Sequence, residues 1–283
     1  MLVLKKIFYI DKRKTVSWSN ESKKILSQLK DRLMNIVKPK ILRSCAHYKG
    51  HGGVKSAVRV VHKAIIGADH VARFDIYHYY QTMSHEIILN KLIDLGVTET
   101  DLSIVKEYLT LPDFKNTGLG IIAGGCISPL LGALYLSELD HRMNKLIRNK
   151  RIIAYIRYMD DFIILCKQRW QLKQAIKNMH QELKNLNMTL HPKKKFIGRT
   201  NKSFDFLGYE FRSGYKLTPS KESYNRLRIR ARRLYEQGAD KNQLLQYLQR
   251  WLGWIFGGVS KLVSRQGGLE KVKENIKNYY KRI

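Results

Sequence analysis

Along the chain, stretches with apolar residues at helical spacing alternate with short runs of continuous strand formers. Residues 1–70 read as mostly helical and strongly basic, interrupted by a glycine-containing loop at Lys49-Gly50-His51-Gly52-Gly53. The apolar spacing from Lys55 to Lys63 predicts a helix with a basic face. His70 to Ile76 is short, rich in strand formers and carries an acid, Asp75, near its end. Helical spacing resumes at Ile87, Ile88 and Leu92, with Ser84 placed to cap it. A second helix is predicted from Ser128, as cap, through Pro129 at the favoured first position to about Arg148.

Arg151 to Tyr158 and Phe162 to Cys166 are two β-rich runs joined through Met159-Asp160-Asp161, which predicts a hairpin. Gln168 to Leu186 reads as another amphipathic helix, with His191-Pro192 beyond its end and a new strand from Lys193 to Gly198. Phe204 to Phe211 reads as half of a further hairpin. From about Thr218 the pattern turns helical and very basic. No internal repeat or low-complexity linker interrupts the order.

Composition adds a partner class. The chain has 283 residues, 44% of them hydrophobic, enough for a packed core. Its 53 basic and 23 acidic residues give a net charge of +30. A charge so lopsided repels itself in the folded state, which points to a polyanionic partner: nucleic acid first, an anionic membrane surface second. Cys45, Cys126 and Cys166 are too scattered for a disulfide framework or a metal-ligand pattern, which fits a reducing cytoplasm. The opening Met1-Leu2-Val3-Leu4-Lys5-Lys6 has too short an apolar stretch for a secretion signal. Residues 116–137 lack charge, but six glycines and prolines among them favour a glycine-rich loop leading into a buried helix over a membrane span.

The acids carry the chemistry. Asp75, Asp160 and Asp161 sit beside strongly apolar neighbours, where a carboxylate faces a desolvation penalty unless a cation compensates. Two adjacent acids also repel one another. A hard-cation site explains such a cluster, and Mg²⁺ suits a few carboxylates completed by water and phosphates. A solvated Asp-Asp turn is the plainer alternative, and Asp75 together with the segments below weighs against it.

Tyr158-Met159-Asp160-Asp161 has the form of the Tyr-x-Asp-Asp box of reverse transcriptases. Phe74 to Tyr80 resembles the palm segment that supplies their other catalytic Asp. Gly124-Gly125-Cys126-Ile127-Ser128-Pro129-Leu130 resembles the segment behind the nucleotide. His191-Pro192-Lys193-Lys194 looks like the palm lysine segment, and Phe206-Leu207-Gly208-Tyr209 like the primer-grip hairpin. In family order over roughly residues 50–215, these segments resemble bacterial reverse transcriptases of the group II intron, retron, diversity-generating and defence-associated types.

The resemblance implies an α+β right-hand fold: fingers over residues 1–70, a palm of antiparallel sheet and packed helices over 71–215, and a small helical thumb over 216–283. It implies two Mg²⁺ ions held by Asp75 and Asp160, with Asp161 auxiliary and Ile76 contributing its carbonyl. Tyr80 resembles the aromatic gate that excludes a ribose 2′-OH; a core tyrosine at a helix start is the alternative. Gly124 would line the nucleotide. Lys194 would sit near the leaving pyrophosphate, with Lys193 and Lys195 as neighbouring candidates. Lys55 and Arg59 are candidates for triphosphate contacts, or else belong to a solvated basic face. Ala123 stands where the family usually carries Gln, which implies lower fidelity or altered nucleotide choice.

In the basic C-terminal part, Arg226, Arg228, Arg230, Arg232 and Arg233 are expected to track phosphates, and Trp251 and Trp254 to form the core of the thumb. The expected activity is RNA-directed DNA synthesis from dNTPs on an RNA template with a DNA primer, with no membrane involved. The compact chain favours a retron-like or defence-associated enzyme with a cognate structured RNA. Two other readings stay open: an RNA-binding, maturase-like scaffold, and a template-independent or protein-primed polymerase.

Overall fold

A computed structural model describes residues 1–10 and 13–264. The N-terminus corrects the helical expectation: β1 (Leu4–Ile10) and β2 (Arg13–Trp18) pair as an antiparallel hairpin, with Leu4 opposite Trp18. Ile7, Thr15, Val16 and Trp18 are β-branched or aromatic, and this preference prevails over the lysine-rich, helix-like composition. Ser19 then caps α1 (Asn20–Val37), accepting from the Ser22 N–H, and α1 buries Leu26, Leu29, Leu33 and Val37 along one stripe. Next comes α2 (Gly53–Ala64), followed by β3 (His70–Ile76).

Ser84 caps α3 (His85–Asp94) as the sequence predicts, and α4 (Glu99–Thr110) follows. The single helix expected from Ser128 to Arg148 is two, α5 (Ser128–Tyr135) and α6 (Ser137–Arg148), interrupted at Leu136. The Ser137 hydroxyl donates to the Leu134 carbonyl at 2.7 Å, a local bond that competes with helix continuation. Ser128 is not the cap either. Ile127 holds that position, while the Ser128 hydroxyl donates to the Ile122 carbonyl at 2.6 Å and pairs with the Tyr108 hydroxyl at 2.8 Å.

The expected hairpin is β4 (Ala154–Tyr158) and β5 (Asp161–Cys166), succeeded by α7 (Arg169–Asn185) with a capping box at Gln168. β6 (Leu190–Arg199) starts earlier than predicted and includes His191 and Pro192. Pro192 is tolerated because β6 is an edge strand. The last elements are β7 (Phe204–Phe206), β8 (Tyr209–Phe211), β9 (Thr218–Pro219), α8 (Lys221–Glu236) and α9 (Lys241–Phe256). Residues 265–283 of the predicted basic C-terminal region lie outside the described residues.

The central sheet runs β4-β5-β3-β6, antiparallel throughout. Phe162, Ile164 and Cys166 join one hydrophobic cluster with Phe74 and residues of α1 and α3–α7, while Ile163 and Leu165 join another with Val58 and Val61 of α2. Both faces are therefore covered, which explains the unbroken apolar run of β5. A separate three-stranded sheet, β7-β8-β9, shares the second cluster and leads into α8 and α9. These two helices pack through Leu227, Leu248, Tyr224 and Trp251. Trp251 thus sits in the expected core, but Trp254 is 41% exposed and lies on the β7–β8 turn. Gly208 in that turn has φ +84°, and an added Cβ would come within 2.6 Å of the Trp254 ring.

Candidate active site

Register brings the acids together. Asp75 near the end of β3 stands opposite Asp161 at the start of β5, and Tyr158 pairs with Asp161 so that Met159 and Asp160 form the turn. The Ile76 N–H donates to the Asp160 carbonyl at 3.1 Å, tying that turn to the end of β3. All three acids therefore occupy one end of the sheet.

Each of two carboxylates has its own cation. Lys194 Nζ lies 3.2 Å from Asp75 Oδ2, and Asp75 is only 6% exposed. Arg73, two residues before Asp75 on the same strand face, donates to Asp161 Oδ1 through Nη2 at 2.9 Å and Nε at 3.2 Å. Its other nitrogen faces Asp205 Oδ2 at 3.4 Å. Burial pushes the Asp161 carboxyl up to about 6; Arg73 opposes the rise, and the charges of Asp160 and Asp75 add to it.

Among the described residues, no three Asp, Glu, His or Cys side chains stand preassembled as a metal cage. The donor chemistry nonetheless fits a hard divalent cation: oxygen ligands only, and mutual repulsion that a shared cation would relieve. Asp75 and Asp160, with Asp161 beside them, are the residues that would hold it.

Behind the turn lies a buried polar network absent from the sequence expectations. Arg157 is fully buried, and its guanidinium meets Asp140 of α6, with Nε at 2.8 Å from Oδ1. Burial opposes the Arg157 charge, but Asp140 more than compensates and keeps its pKa well above the usual arginine value. The Tyr155 hydroxyl donates to the same Asp140 oxygen at 2.8 Å. His47 accepts the Met159 N–H at Nδ1, 3.0 Å away. Burial, reinforced by the nearby Arg157 charge, lowers the His47 pKa to about 3, so the ring is neutral. A charged residue inside the apolar run from Ile152 to Tyr158 signals a buried, paired arginine, but no local pattern names Asp140 or His47 as its neighbours.

The remaining predicted residues divide. Tyr80 is half-buried against Tyr79, and its carbonyl accepts from the Ile121 N–H at 2.8 Å, which sets it beside the glycine-rich loop. Gly124 in that loop is exposed with φ +78°, and a Cβ on Gly125 would lie 1.7 Å from the Tyr108 hydroxyl oxygen. Lys55 and Arg59 point to the C-terminal helices: Lys55 Nζ donates to the Tyr209 hydroxyl and the Trp254 carbonyl, and Arg59 Nη1 donates to the Gly258 carbonyl at 2.8 Å. Burial lowers the Lys55 pKa to about 8. Arg226, Arg228, Arg230, Arg232 and Arg233 are all exposed on α8, with Arg226 paired to Glu222 and Arg232 to Glu236.

An antiparallel sheet covered by helices, with one acid on a central strand and two more at the adjacent hairpin, is the architecture of a polymerase palm. Residues 10–211 match the Reverse transcriptase (RNA-dependent DNA polymerase) family, and the chain belongs to it. It is 23% identical over 225 residues to the group II intron-encoded protein LtrA of Lactococcus lactis subsp. cremoris, covering 56% of this chain and 37% of LtrA. Apo telomerase from Candida tropicalis has the same fold, with TM-score 0.59 and 11% identity over 92% of this chain and 59% of that one. Telomerase from Candida albicans, in complex with a fragment of telomeric RNA, gives TM-score 0.52 and 13% identity over 90% of this chain and 50% of its own. The chain thus spans less than two thirds of each of these relatives. No helix among the described residues is long and apolar enough to cross a membrane.

Proposed function

We propose that the chain is an RNA-directed DNA polymerase that extends a DNA primer with dNTPs on an RNA template. The observation that carries this reading is the register of Asp75 opposite Asp161, with Asp160 tied to Ile76, in a chain of the reverse transcriptase family. Asp75 and Asp160 would hold two Mg²⁺ ions, with Asp161 auxiliary and the Ile76 carbonyl as a further donor. Such ions activate an attacking 3′-oxygen and stabilise the leaving pyrophosphate.

The chain's own residues orient and neutralise. The primer 3′-oxygen attacks the α-phosphorus of the dNTP, and the bond to pyrophosphate breaks. Lys194, now on Asp75, would offset charge on that leaving group. Tyr80 would stand where a ribose 2′-OH must pass, and the exposed α8 arginines would follow the duplex phosphates. Residues 1–70 would serve as fingers, 71–215 as palm and 216–283 as thumb. Lys55 and Arg59, engaged with Trp254 and Gly258, fit a tie between α2 and the thumb helices better than triphosphate ligands. We place the enzyme in the cytoplasm, copying a cognate structured RNA in a retron-like or antiviral defence role.

The test is direct. Protein purified with its bound nucleic acid is supplied with dNTPs and Mg²⁺, beside Asp160→Ala. Incorporation by the parent alone is expected, and equal incorporation by both would remove the polymerase reading. Sequencing the bound nucleic acid should return one structured RNA; none would remove the cognate-RNA part. Misincorporation should fall in Ala123→Gln if Ala123 lowers fidelity.

A further inference from the structure

Residues 44–46 lie along the outer edge of β4. The Arg157 N–H donates to the Ser44 carbonyl and the Ala46 N–H to the Arg157 carbonyl, each at 2.8 Å, forming a parallel bridge between Cys45 and Arg157. Two residues beyond that isolated bridge, the two segments reach His47 and Met159. There the Met159 N–H donates to His47 Nδ1 at 3.0 Å. The other ring nitrogen, Nε2, faces the Pro129 carbonyl at 3.3 Å and must carry the proton to donate to it. His47 thus joins the Asp-Asp turn to the start of α5, the segment expected behind the nucleotide.

Met159 needs such a hold. Its φ of +56° is left-handed, a conformation that residues with a side chain disfavour. Both of its backbone polar groups are gripped by side chains, because Arg157 Nη1 donates to its carbonyl at 3.3 Å. Arg157 is itself fixed by Asp140 and the Ala133 carbonyl, so one side of the grip is anchored in buried structure. Strained residues held by their surroundings cluster where geometry matters. The next residue after Met159 is Asp160.

We propose that His47 is a positioning residue for the catalytic turn: by accepting the Met159 N–H it fixes the left-handed conformation that sets where Asp160 and Asp161 point. This rests on the polymerase reading, and it assigns a function to the loop before α2 that no acid or base chemistry of His47 supplies.

The two ring nitrogens can be separated by substitution. Asn places an amide oxygen near Nδ1 and can keep the Met159 bond; Gln reaches toward Nε2 and keeps the Pro129 contact instead. Primer extension on poly(rA)·oligo(dT) with dTTP and Mg²⁺ should show His47→Asn close to the parent. His47→Gln and His47→Ala should lose about tenfold or more in kcat, with KM for dTTP nearly unchanged. Hydrogen exchange at the Met159 amide should accelerate in the Gln and Ala variants and stay slow in Asn. Equal kcat for Asn and Gln, or unchanged Met159 exchange in Gln, would overturn the proposal even if Ala does not fold. A parent that incorporates no dTTP overturns the polymerase reading instead, and the clamp then stands or falls on the exchange measurement alone.

Discussion

Asp75 and Asp161 face each other across neighbouring strands, yet they are neutralised separately, Asp75 by Lys194 and Asp161 by Arg73. Like charges directly opposite in a sheet are destabilising, and each cation offsets part of that repulsion. For Asp161, burial outweighs the help from Arg73, with the neighbouring acids adding to it, and its pKa stays raised to about 6.

That residue should make stability depend on pH in the metal-free protein. An unfolded aspartate titrates near 3.9, whereas folded Asp161 titrates at about 6. The folded state therefore holds the proton more tightly. Its contribution to stability is complete below about pH 4 and lost as pH rises through about 6. Asp161→Asn mimics the neutral form at every pH. In EDTA it should be more stable than the parent by about 1–2 kcal/mol at pH 7.5, after allowing for the lost Arg73 partner, and no more stable at pH 4. Urea unfolding at the two pH values checks this, and a gain of equal size at both would refute it.

The Arg157–Asp140 pair should behave differently, because both partners are fully buried. Asp140→Ala leaves a guanidinium without its counter-charge and should cost about 3–5 kcal/mol in urea unfolding. Replacing both, as Arg157→Met with Asp140→Leu, should recover most of that loss. Incorporation should stay low in the double variant, since the Met159 carbonyl has lost its donor. Full activity there would show that the network serves stability only.

These pairings mark where the sequence stops being legible. The hairpin bearing Asp160 and Asp161, the strand bearing Asp75, the capped start of α3 and the helix α7 rest on local spacing, and all stand where that spacing puts them. The N-terminal hairpin was hidden by lysines that suit a helix surface as well as a strand edge. The break at Leu136 is accompanied by a bond from the Ser137 hydroxyl to the Leu134 carbonyl, which apolar spacing does not encode. Lys55 with Trp254, and His47 with Met159, are encounters between segments far apart in the chain, and no periodicity encodes them. Arg73 was within reach: it shares a strand face with Asp75 by simple alternation.

On α8, Arg226 and Arg232 are tied to glutamates one turn away, while Arg228 and Arg230 are exposed. Replacing Arg228 and Arg230 by Gln should weaken binding to an RNA–DNA duplex. The slope of log affinity against log salt should become shallower by about 0.7–0.9 for each phosphate that is no longer neutralised. Filter binding over a salt series reads this directly. An unchanged slope would mean that α8 faces away from the duplex.

The two adjacent tyrosines after β3 should separate structure from selection. Tyr79 is the core residue: its hydroxyl donates to the Gly132 carbonyl at 2.8 Å, and a Cβ on Gly132 would come within 2.7 Å of that oxygen. Tyr79→Phe removes one buried hydrogen bond and should cost about 1 kcal/mol of stability, leaving the choice between dNTPs and ribonucleotides unchanged. Tyr80 is only half-buried, packed on the Tyr79 ring at 4.9 Å. Removing its ring should open space near the sugar rather than in the core. Tyr80→Ala should therefore raise ribonucleotide incorporation relative to dNTPs by about tenfold or more, the scale expected when a steric block in a pocket is removed. Competition assays on one primed template measure the ratio. If Tyr79→Phe changes it and Tyr80→Ala does not, the gate is not at Tyr80.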